Sequence, residues 1–432
     1  GIKVPTAGIG VHRRVGAATR RGVGRVDGED PEDGVREVHE RLELLVPVGR
    51  GLAVELVRVG PPDLDEQVAP GGQIYRAMES ISAERTGLLG AEYQRGRKLV
   101  SAVRNSNIDY FPDTQVWSLN GKRELGVLQR MTPSMITADQ VLLANGAMER
   151  PVPFPGWTLP GVIGAGAAQT IANIHGTRPG DNLLMVGSGN VGVVVSYQML
   201  QAGCSIAAVI DAAPKIGGYA VHAAKVARAG VPFYMSHTIK EAHGKSCVES
   251  ATIIEVDERW QPIAGTEKEL AVDTICISVG LNPMSQLLQM SGCKMVHNPT
   301  LGGRVPAHDR HQQTSIEGIY VAGDASGIEE ASTAMIEGRV AGLTAAHSLG
   351  YLDEKEFIEK SSRQLENMHG LRSGPHGDMR ARAKEELNAA MDQLFFNWRT
   401  TQAKGDVIML RFADDAVLSF QYEAEGRVFL EA

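Results

Sequence analysis

The sequence predicts an α/β fold built from two Rossmann-like dinucleotide-binding units, and three stretches of the chain support this prediction. Val186 to Asp211 has the order of strand, glycine-rich turn, helix and second strand that such a unit requires. Leu45 to Gln67 looks like a shortened copy of the same unit. Ile319 to Ala322 is typical of a buried strand, and Gly323, Asp324 and a helical pattern follow it.

Size and charge narrow the class of protein. The chain has 432 residues, of which 43% are hydrophobic, so it can bury the cores of two or three domains. Its net charge of −8 does not favour binding to nucleic acid. No apolar run approaches the roughly 20 residues of a membrane span. The N-terminus lacks the apolar segment of a secretory signal, so we expect a cytoplasmic protein.

The four cysteines indicate reduced thiols. Cys204, Cys247, Cys276 and Cys293 are scattered, and no CxxC or CxxxxC pair occurs. This pattern argues against a redox disulfide, a zinc site or an iron–sulfur site within this chain.

Residues 1–42 form an atypical N-terminal segment. The segment has no sustained period of 2 or 3.6 residues until its last few positions. Its bias towards Arg, Gly and Val suits an arm that binds a partner, and it equally suits an out-of-frame translation of a GC-rich gene. We favour a sequencing artefact as the explanation of this segment, and we place no functional residue in it.

The first nucleotide-binding unit is incomplete. The run "ELLVPVG" predicts a buried strand that ends at Gly49, and "GLAVELVRVG", which begins at Gly51, predicts a helix. Glu66 follows at the position of a ribose acceptor. Gly49 and Glu66 are 17 positions apart, whereas Gly187 and Asp211 of the intact unit are 24 apart. A complete unit needs about 20 or more, so the glycines of this copy are a weak signal by themselves.

Residues just beyond the short unit support its assignment as a nucleotide-binding unit. Gly71, Gly72 and Gln73 follow Glu66 closely, at a place where backbone passes near a bound group. We therefore include all four residues among the candidates.

The intact unit has a clear division of roles. Gly187 permits the tight turn, Gly189 permits close approach of a pyrophosphate, and Gly192 permits close helix–strand packing. A carboxylate at Asp211 accepts from a ribose 2′-hydroxyl and repels a 2′-phosphate, which predicts NAD(H) or another adenine nucleotide over NADP. The candidate residues of this site are Gly187, Gly189, Asn190, Val191, Gly192 and Asp211.

Three longer stretches support a specific resemblance. They are "NGAMERPVPFPGWTLPGVIGAGAAQT", "DAAPKIGGYAVHAAKVARAGVPFYMSHTIKEAHG" and "GDASGIEEASTAMIEGRVAGLTAAHSLGY". The chain resembles FAD-dependent oxidoreductases with two dinucleotide-binding domains, which have the glutathione-reductase-like fold. Within them it is similar to the α-subunits of dye-linked proline and hydroxyproline dehydrogenases, opine oxidases and heterotetrameric sarcosine oxidase. The resemblance runs from about Glu43 to Glu386.

The resemblance implies a FAD site and a domain plan. Asp324 of the Gly323–Asp324 turn would hydrogen-bond the ribityl chain and pyrophosphate, the helix near Glu330 would point its N-terminus at the flavin, and Gly146 would lie against it. Relatives have Thr at the position of Asn145. The second domain is inserted in the first. The plan is an atypical segment (1–42), the first section of the FAD-binding domain (43–160), an inserted nucleotide domain (161–297), the second section of the FAD-binding domain (298–350) and a helical C-terminal tail (351–432).

Two explanations of the short first unit stay open. Either the FAD turn is compressed, or the sequence is altered up to about Pro62. We favour the second, because a protein that had abandoned FAD would gain nothing by keeping Gly323 and Asp324.

Three functional hypotheses follow. The resemblance implies the FAD-containing electron-transfer α-subunit of a heteromeric amine or imino-acid dehydrogenase, whose partner is a β-subunit flavoprotein. Any iron–sulfur centre would belong to a separate small subunit. The alternatives are a stand-alone NADH-dependent reductase of a ferredoxin or quinone-like acceptor, and a non-enzymatic scaffold that has lost FAD.

The catalytic residues stay unassigned. No residue stands out as a substrate acid or base, and neither a Ser-His-Asp pattern nor a metal-binding pattern occurs. His222 and His237 are isolated histidines, for which a structural role is more common. For Arg150 and Lys215 we expect a role as solvated surface charges.

Overall fold

The computed structural model describes residues 44–45, 62–75, 78–81, 91–372, 375–401, 407–412 and 415–420. The candidate residues Gly49 and Gly51 lie outside these ranges. The described helices are α1 (Ala91–Arg104), α2 (Ala165–Asn173), α3 (Asn190–Gln201), α4 (Ala220–Arg228), α5 (Gln286–Met290), α6 (Ala331–Ser348), α7 (Glu354–Leu371) and α8 (Pro375–Thr401). The described strands are β1 (Leu44–Leu45), β2 (Pro62–Leu64), β3 (Asp109–Phe111), β4 (Thr114–Leu119), β5 (Glu124–Gln129), β6 (Thr132–Thr137), β7 (Val141–Leu143), β8 (Ala147–Glu149), β9 (Val162–Gly164), β10 (Asn182–Val186), β11 (Ser205–Asp211), β12 (Phe233–Met235), β13 (His237–His243), β14 (Ser250–Glu255), β15 (Lys268–Ala271), β16 (Thr274–Ile277), β17 (Leu281–Pro283), β18 (Met295–Asn298), β19 (Gly303–Pro306), β20 (Ile319–Val321), β21 (Val407–Phe412) and β22 (Asp415–Phe420).

A five-stranded parallel sheet is the centre of the inserted domain. Its strand order is β12-β11-β10-β16-β9. Met185 on β10 packs with α2 and α3 on one face, and Leu184 packs against β13 and β14 of a three-stranded antiparallel sheet on the other face. Both faces are covered, which explains why β10 is almost continuously apolar. The carboxyl ends of β9, β10, β11 and β16 meet at one edge, where ligands bind in such sheets.

The flanking domain contains two parallel strand pairs and an antiparallel meander. Strand β2 pairs with β3, and β7 pairs with β20. Strands β4, β5 and β6 form the meander, and side chains such as Val127 and Leu143 share one apolar core with Val321 of β20. The meander and the late strand, which are far apart in sequence, therefore belong to one folding unit.

The start of the chain's first expected unit differs from the prediction. Leu44 and Leu45 pair antiparallel with Ile136 and Met135 of β6, so the two described residues of that run extend the meander. We had expected them in a parallel nucleotide-binding strand. The short apolar run fits either kind of strand, because an edge of a meander and a buried parallel strand both accept consecutive leucines.

The C-terminal tail is helical, as expected, and it packs on the flanking domain. Met368 of α7 contacts Ile336 and Val340 of α6. Leu387 of α8 is fully buried against Leu301. Strands β21 and β22 pair antiparallel with each other. No helix among the described residues is long and apolar enough to cross a membrane.

Candidate functional site

The glycine turn after β10 has the geometry that the sequence predicts. Gly187 has φ +115°, and a Cβ there would overlap the carbonyl oxygen of Ser278. A Cβ on Gly192 would overlap the carbonyl oxygen of Gly187. At Gly189, in contrast, a Cβ would meet nothing within 4 Å. Two glycines thus allow backbone packing, and the third borders open space that a phosphate can enter.

The same turn begins helix α3. Gly189 is its N-cap and provides no side-chain cap. The first N–H groups of a helix, here those of Asn190, Val191 and Gly192, have no partner within the helix and carry its positive dipole end. This end of α3 is therefore suited to an anionic group such as a pyrophosphate.

Asp211 lies at the end of β11, as expected, but its carboxylate already has protein partners. Oδ2 accepts from the Ser188 N–H and from the Ser188 hydroxyl, each at 2.7 Å. Oδ1 accepts from the Ala213 N–H at 2.9 Å. A carboxylate has about four acceptor positions, so little capacity is left for a ribose hydroxyl. The side chain orients the glycine turn, a role that the sequence analysis did not predict.

The segment 212–219 lies against the glycine turn. Gly217 N–H donates to the Ser188 hydroxyl at 3.2 Å, and Gly218 N–H donates to the Ser188 carbonyl at 2.8 Å. Tyr219 N–H donates to Asn190 Oδ1 at 2.8 Å. The segment therefore forms a second wall of the turn.

Glu330 connects this wall with helix α6, of which it is the N-cap. Its Oε1 accepts from the Tyr219 hydroxyl at 3.2 Å and from Asn190 Nδ2 at 3.5 Å. Arg380 Nη1 of α8 lies 3.3 Å from the same oxygen. Burial, followed by the charge of Glu330, raises the pKa of the Tyr219 hydroxyl. Glu330 was expected near a flavin, and the structure puts it between α6 and the glycine turn of the inserted domain.

The Gly323–Asp324 turn follows β20 directly. Gly323 has φ +67°, and its N–H donates to Glu337 Oε2 at 2.9 Å. Asp324 Oδ1 accepts from the Glu329 N–H at 3.2 Å. The side chain is half-buried, and this burial raises the pKa of its carboxyl group. Gly146 follows β7, the parallel neighbour of β20, so the structure brings Gly146 and the Gly323–Asp324 turn to the same strand ends.

A buried ion-pair cluster, consisting of Glu337, Lys384, Arg372 and Glu329, supports this turn from behind. Glu337 is fully buried, and its Oε1 lies 2.9 Å from Lys384 Nζ and 2.8 Å from Arg372 Nη2. Arg372 also pairs with Glu329 at 3.0 Å. Burial alone raises the pKa of Glu337, but the charges of Lys384 and Arg372 outweigh it and hold that pKa below its ordinary value. The only sign of this cluster in the sequence is the acidic Glu337 within the otherwise largely apolar helix α6.

The remaining flavin candidates lie near the other parallel pair. Glu66 is exposed just after β2, whereas its neighbour Asp65 accepts from the Tyr110 hydroxyl at 3.0 Å. A Cβ on Gly71 would overlap the Tyr75 carbonyl oxygen, and Gly72 has φ +56° with open space beside it. Gln73 is exposed in the same turn. Among the described residues, the β2–β3 pair and the β7–β20 pair are separate two-stranded sheets. Strand hydrogen bonds therefore do not connect Glu66 and the Gly71–Gln73 turn with the Gly323–Asp324 turn.

These features fit FAD. Gly146 has φ +74° and, like Gly72, has no atom within 4 Å of an added Cβ. Open turns at strand ends leave room for a pyrophosphate, and the half-buried carboxylate of Asp324 can accept from hydroxyl groups of a ribityl chain.

Four other residues can now be assigned. Arg150 Nη2 donates to Asn282 Oδ1 at 3.0 Å and to the Gly302 carbonyl at 3.2 Å, so this exposed side chain is an anchor as well as a surface charge. His237 is buried, and its Nδ1 lies 2.8 Å from the Met235 carbonyl oxygen, which is a structural contact. His222 is half-buried, and Lys215 is exposed.

Glu149, which the sequence analysis did not select, lies at the N-terminus of α2. Its Oε1 accepts from the Gly166 N–H at 2.7 Å. Burial raises the pKa of Glu149, and the backbone N–H groups of Gly166, Ala167 and Ala165 oppose this increase. Its carboxylate thus caps the helix that follows β9.

Comparisons with known proteins agree with this geometry. The family model described as "Pyridine nucleotide-disulphide oxidoreductase" matches residues 51–338. An opine oxidase subunit of Rhizobium meliloti is 34% identical over 70% of this chain and 61% of its own length. The HcnB subunit of hydrogen cyanide synthase from Pseudomonas aeruginosa is 29% identical over 75% of this chain and 74% of its own length. The chain thus spans less than two thirds of the opine oxidase relative.

A solved structure shows the same fold. Thioredoxin reductase of Lactococcus lactis superposes with a TM-score of 0.50 at 18% identity, over 67% of this chain and 90% of that one. The predicted glutathione-reductase-like α/β fold is confirmed, and so is the resemblance to opine oxidase subunits. The sequence analysis had not included a hydrogen cyanide synthase among the relatives.

Proposed function

Because the chain belongs to the pyridine nucleotide-disulphide oxidoreductase family, an FAD-dependent oxidoreductase family, we propose that it is the electron-transfer α-subunit of a heteromeric amine or imino-acid dehydrogenase. The substrate would be of the proline, hydroxyproline, opine or sarcosine type. The observation that carries the proposal is the Gly323–Asp324 turn. The Gly323 N–H donates to the buried Glu337, and the turn lies at the same strand ends as Gly146.

FAD, when bound, supplies the group that accepts and passes on electrons. Asp324 would accept hydrogen bonds from its ribityl hydroxyls, and Glu66 would accept from its ribose. Gly146 would lie against the flavin, and Gly72 would leave room for the pyrophosphate, with Gly71 and Gln73 in the same turn. Helix α6 would direct its N-terminal dipole, next to Glu330, at the flavin.

The second site would bind NAD(H) or another adenine nucleotide. The free N–H groups at the start of α3 would hold its pyrophosphate, and Asp211 would contribute its remaining acceptor capacity to the ribose. The negative charge of Asp211 would disfavour NADP.

A partner chain would oxidise the substrate. The similar proteins are named as subunits, of opine oxidase and of hydrogen cyanide synthase. Amine oxidation by a flavin needs a pocket that orients the C–H bond over the ring, and we assign no residue of this chain to that task. We therefore propose a β-subunit flavoprotein as partner, with any iron–sulfur centre on a separate small subunit.

The first test is flavin content. The purified full chain, reconstituted with excess FAD, should show flavin absorbance and release FAD on denaturation. Asp324→Ala should lower the FAD content several-fold, because a hydrogen-bonded carboxylate is lost. Asp139→Asn, at an exposed position, is the matched control. A colourless wild-type protein would contradict the proposal and favour the scaffold.

The second test separates the subunit from a stand-alone reductase, which the well-formed second nucleotide turn also supports. An artificial-dye assay is run with the lone chain and with the complex obtained by co-expression. We expect NADH–dye reduction at most from the lone chain, and oxidation of proline, hydroxyproline, sarcosine or an opine only by the complex. Substantial amine oxidation by the lone chain would refute the division of labour.

A further inference from the structure

Three hydrogen-bond donors from three different parts of the chain meet at one carboxylate oxygen beside the glycine turn of the inserted domain. Glu330 Oε1 accepts from the Tyr219 hydroxyl at 3.2 Å and from Asn190 Nδ2 at 3.5 Å. Arg380 Nη1 lies 3.3 Å from the same oxygen. The hydroxyl comes from the wall of residues 212–219, the amide from the first residue of α3, and the guanidinium from α8. Together these donors define a position for one anionic oxygen.

The contacts that hold Glu330 in this position are loose and accessible to water. All three are 3.2 Å or longer, whereas charge-assisted hydrogen bonds are about 2.7–2.9 Å long. The side chains of Glu330 and Arg380 are 42% and 26% exposed, and Tyr219 is 43% exposed. Ion pairs at such exposed places contribute little to stability. Glu330 can therefore turn towards solvent at low cost, and a solute can reach the donors that it leaves.

The position lies next to the end of α3 that is suited to a phosphate. Asn190 supplies one of the first backbone N–H groups of this helix, and its side-chain amide is one of the three donors. Asn190 Oδ1 accepts from the Tyr219 N–H at 2.8 Å, which holds both residues against the glycine turn. Gly189, directly before Asn190, borders open space. An anion that enters beside Gly189 therefore comes close to the three donors and to the carboxylate of Glu330.

The charge of Glu330 opposes the entry of such an anion. While Glu330 stays in place, a phosphate meets a negative charge and finds the donors occupied. When Glu330 turns away, the charge of Arg380 loses its partner among the described residues. A guanidinium has five N–H donors and matches the geometry of a phosphate group. The donors that bind the carboxylate can thus bind phosphate oxygens in its place.

We propose that Arg380, Tyr219 and Asn190 form a phosphate subsite of the second nucleotide site. Glu330 is an internal ligand of this subsite, and a nucleotide phosphate displaces it on binding. The inference rests on the proposed second nucleotide site and adds to it a residue of the C-terminal helix α8. Glu330 is also the N-cap of α6, the helix that we propose to face the flavin. Nucleotide binding would therefore release this N-cap and connect the two cofactor sites.

The test uses the full chain with FAD and measures the binding of ADP and of adenosine by calorimetry. Adenosine lacks phosphate and reports on the rest of the site. Glu330→Gln removes the competing charge, so ADP should bind more tightly by roughly fivefold, the effect of a unit charge about 4 Å away in water, whereas adenosine should show no gain. Glu366→Gln, at an exposed position of α7, is the control for net charge and should change neither affinity.

Two results would overturn the proposal at this stage. One is an equal ADP affinity in wild type and Glu330→Gln, which includes the absence of binding to both proteins. The other is an equal gain for adenosine, because a general opening of the site would then explain the effect.

Two further variants locate the donors. Arg380→Met removes the cation of the subsite and should weaken ADP binding by roughly fivefold or more without affecting adenosine. Arg382→Met, at an exposed position on the same helix, is its matched control. Tyr219→Phe removes only the hydroxyl and should weaken ADP binding a few-fold, so the test survives if Arg380→Met fails to fold. Wild-type ADP affinity in both donor variants would overturn the proposal.

Failure of the proposed electron-transfer function has different signs. It would appear as missing flavin or missing amine oxidation by the complex, and neither result changes the expected order of ADP affinities. Failure of the phosphate subsite would appear as unchanged ADP affinities in a protein that contains flavin.

Discussion

Removal of the Lys384 charge should loosen the Gly323–Asp324 turn. Lys384 Nζ lies 2.9 Å from Glu337 Oε1, and it donates to the Ser326 hydroxyl at 2.6 Å and to the Ser326 carbonyl at 3.1 Å. The two charged side chains are 5% and 1% exposed. Removing one partner of a buried ion pair costs about 3–5 kcal/mol. Because Glu337 keeps Arg372, we expect the lower end for Lys384→Met.

Hydrogen exchange of the peptide that contains the Gly323 amide measures this loss locally. A cost of about 3 kcal/mol corresponds to roughly 160-fold faster exchange, at 1.36 kcal/mol per tenfold. The double variant Lys384→Met/Glu337→Gln should regain most of the protection, because a neutral amide oxygen still accepts from the Gly323 N–H without an unpaired buried charge. Lys360→Met breaks an exposed pair with Glu356, with side chains 48% and 51% exposed, and should change little. Exchange within threefold of wild type in Lys384→Met, or no recovery in the double variant, would refute this reasoning.

Three further predictions concern single sites. Asp211→Ala should weaken adenine-nucleotide binding by about 1–3 kcal/mol in calorimetry and leave FAD content unchanged, and equal affinity would remove Asp211 from the nucleotide site. Gly189→Ala should keep the thermal stability and lose nucleotide affinity, whereas Gly192→Ala should lose stability, because only the second Cβ meets backbone. His308 has its pKa lowered to about 4 from an unfolded value near 6.5, so the unfolded chain binds the proton more readily between these values and stability falls as the pH falls through this window. His308→Gln should flatten that part of the curve of unfolding temperature against pH, and an unchanged slope would contradict the assignment.

Local patterns in the sequence were sufficient for the glycine turns. Gly187, Gly189 and Gly192 lie within six positions, and each glycine role depends on the strand, turn and helix next to it. The same holds for Asp211, whose place at the end of a strand follows from its apolar neighbours. The hydrogen bonds of Asp211 to Ser188 were not predictable, because they depend on how the turn folds back over the strand end.

Contacts between distant segments were also missed. Glu330 meets Tyr219 and Arg380 only after the inserted domain and α8 have both packed against α6. Glu337 and Lys384 are on two different helices, and sequence periodicity shows only that each helix has a buried face. The strand that contains Leu44 and Leu45 differs from the prediction because two consecutive leucines fit an antiparallel edge strand as well as a parallel strand.

The contribution of α8 has a consequence for how this protein can be divided. Lys384 and Arg380 lie beyond residue 350, where the domain plan ends the flavin-binding domain, yet they neutralise Glu337 and Glu330 within it. A fragment that stops before Pro375 would lose Lys384, one of the two counter-charges of Glu337, together with the helix that carries it. Such a fragment should be recovered with little FAD and should be cleaved rapidly by protease between β20 and α6. The helix that the sequence pattern assigns to a tail is therefore, in electrostatic terms, an integral component of the flanking domain.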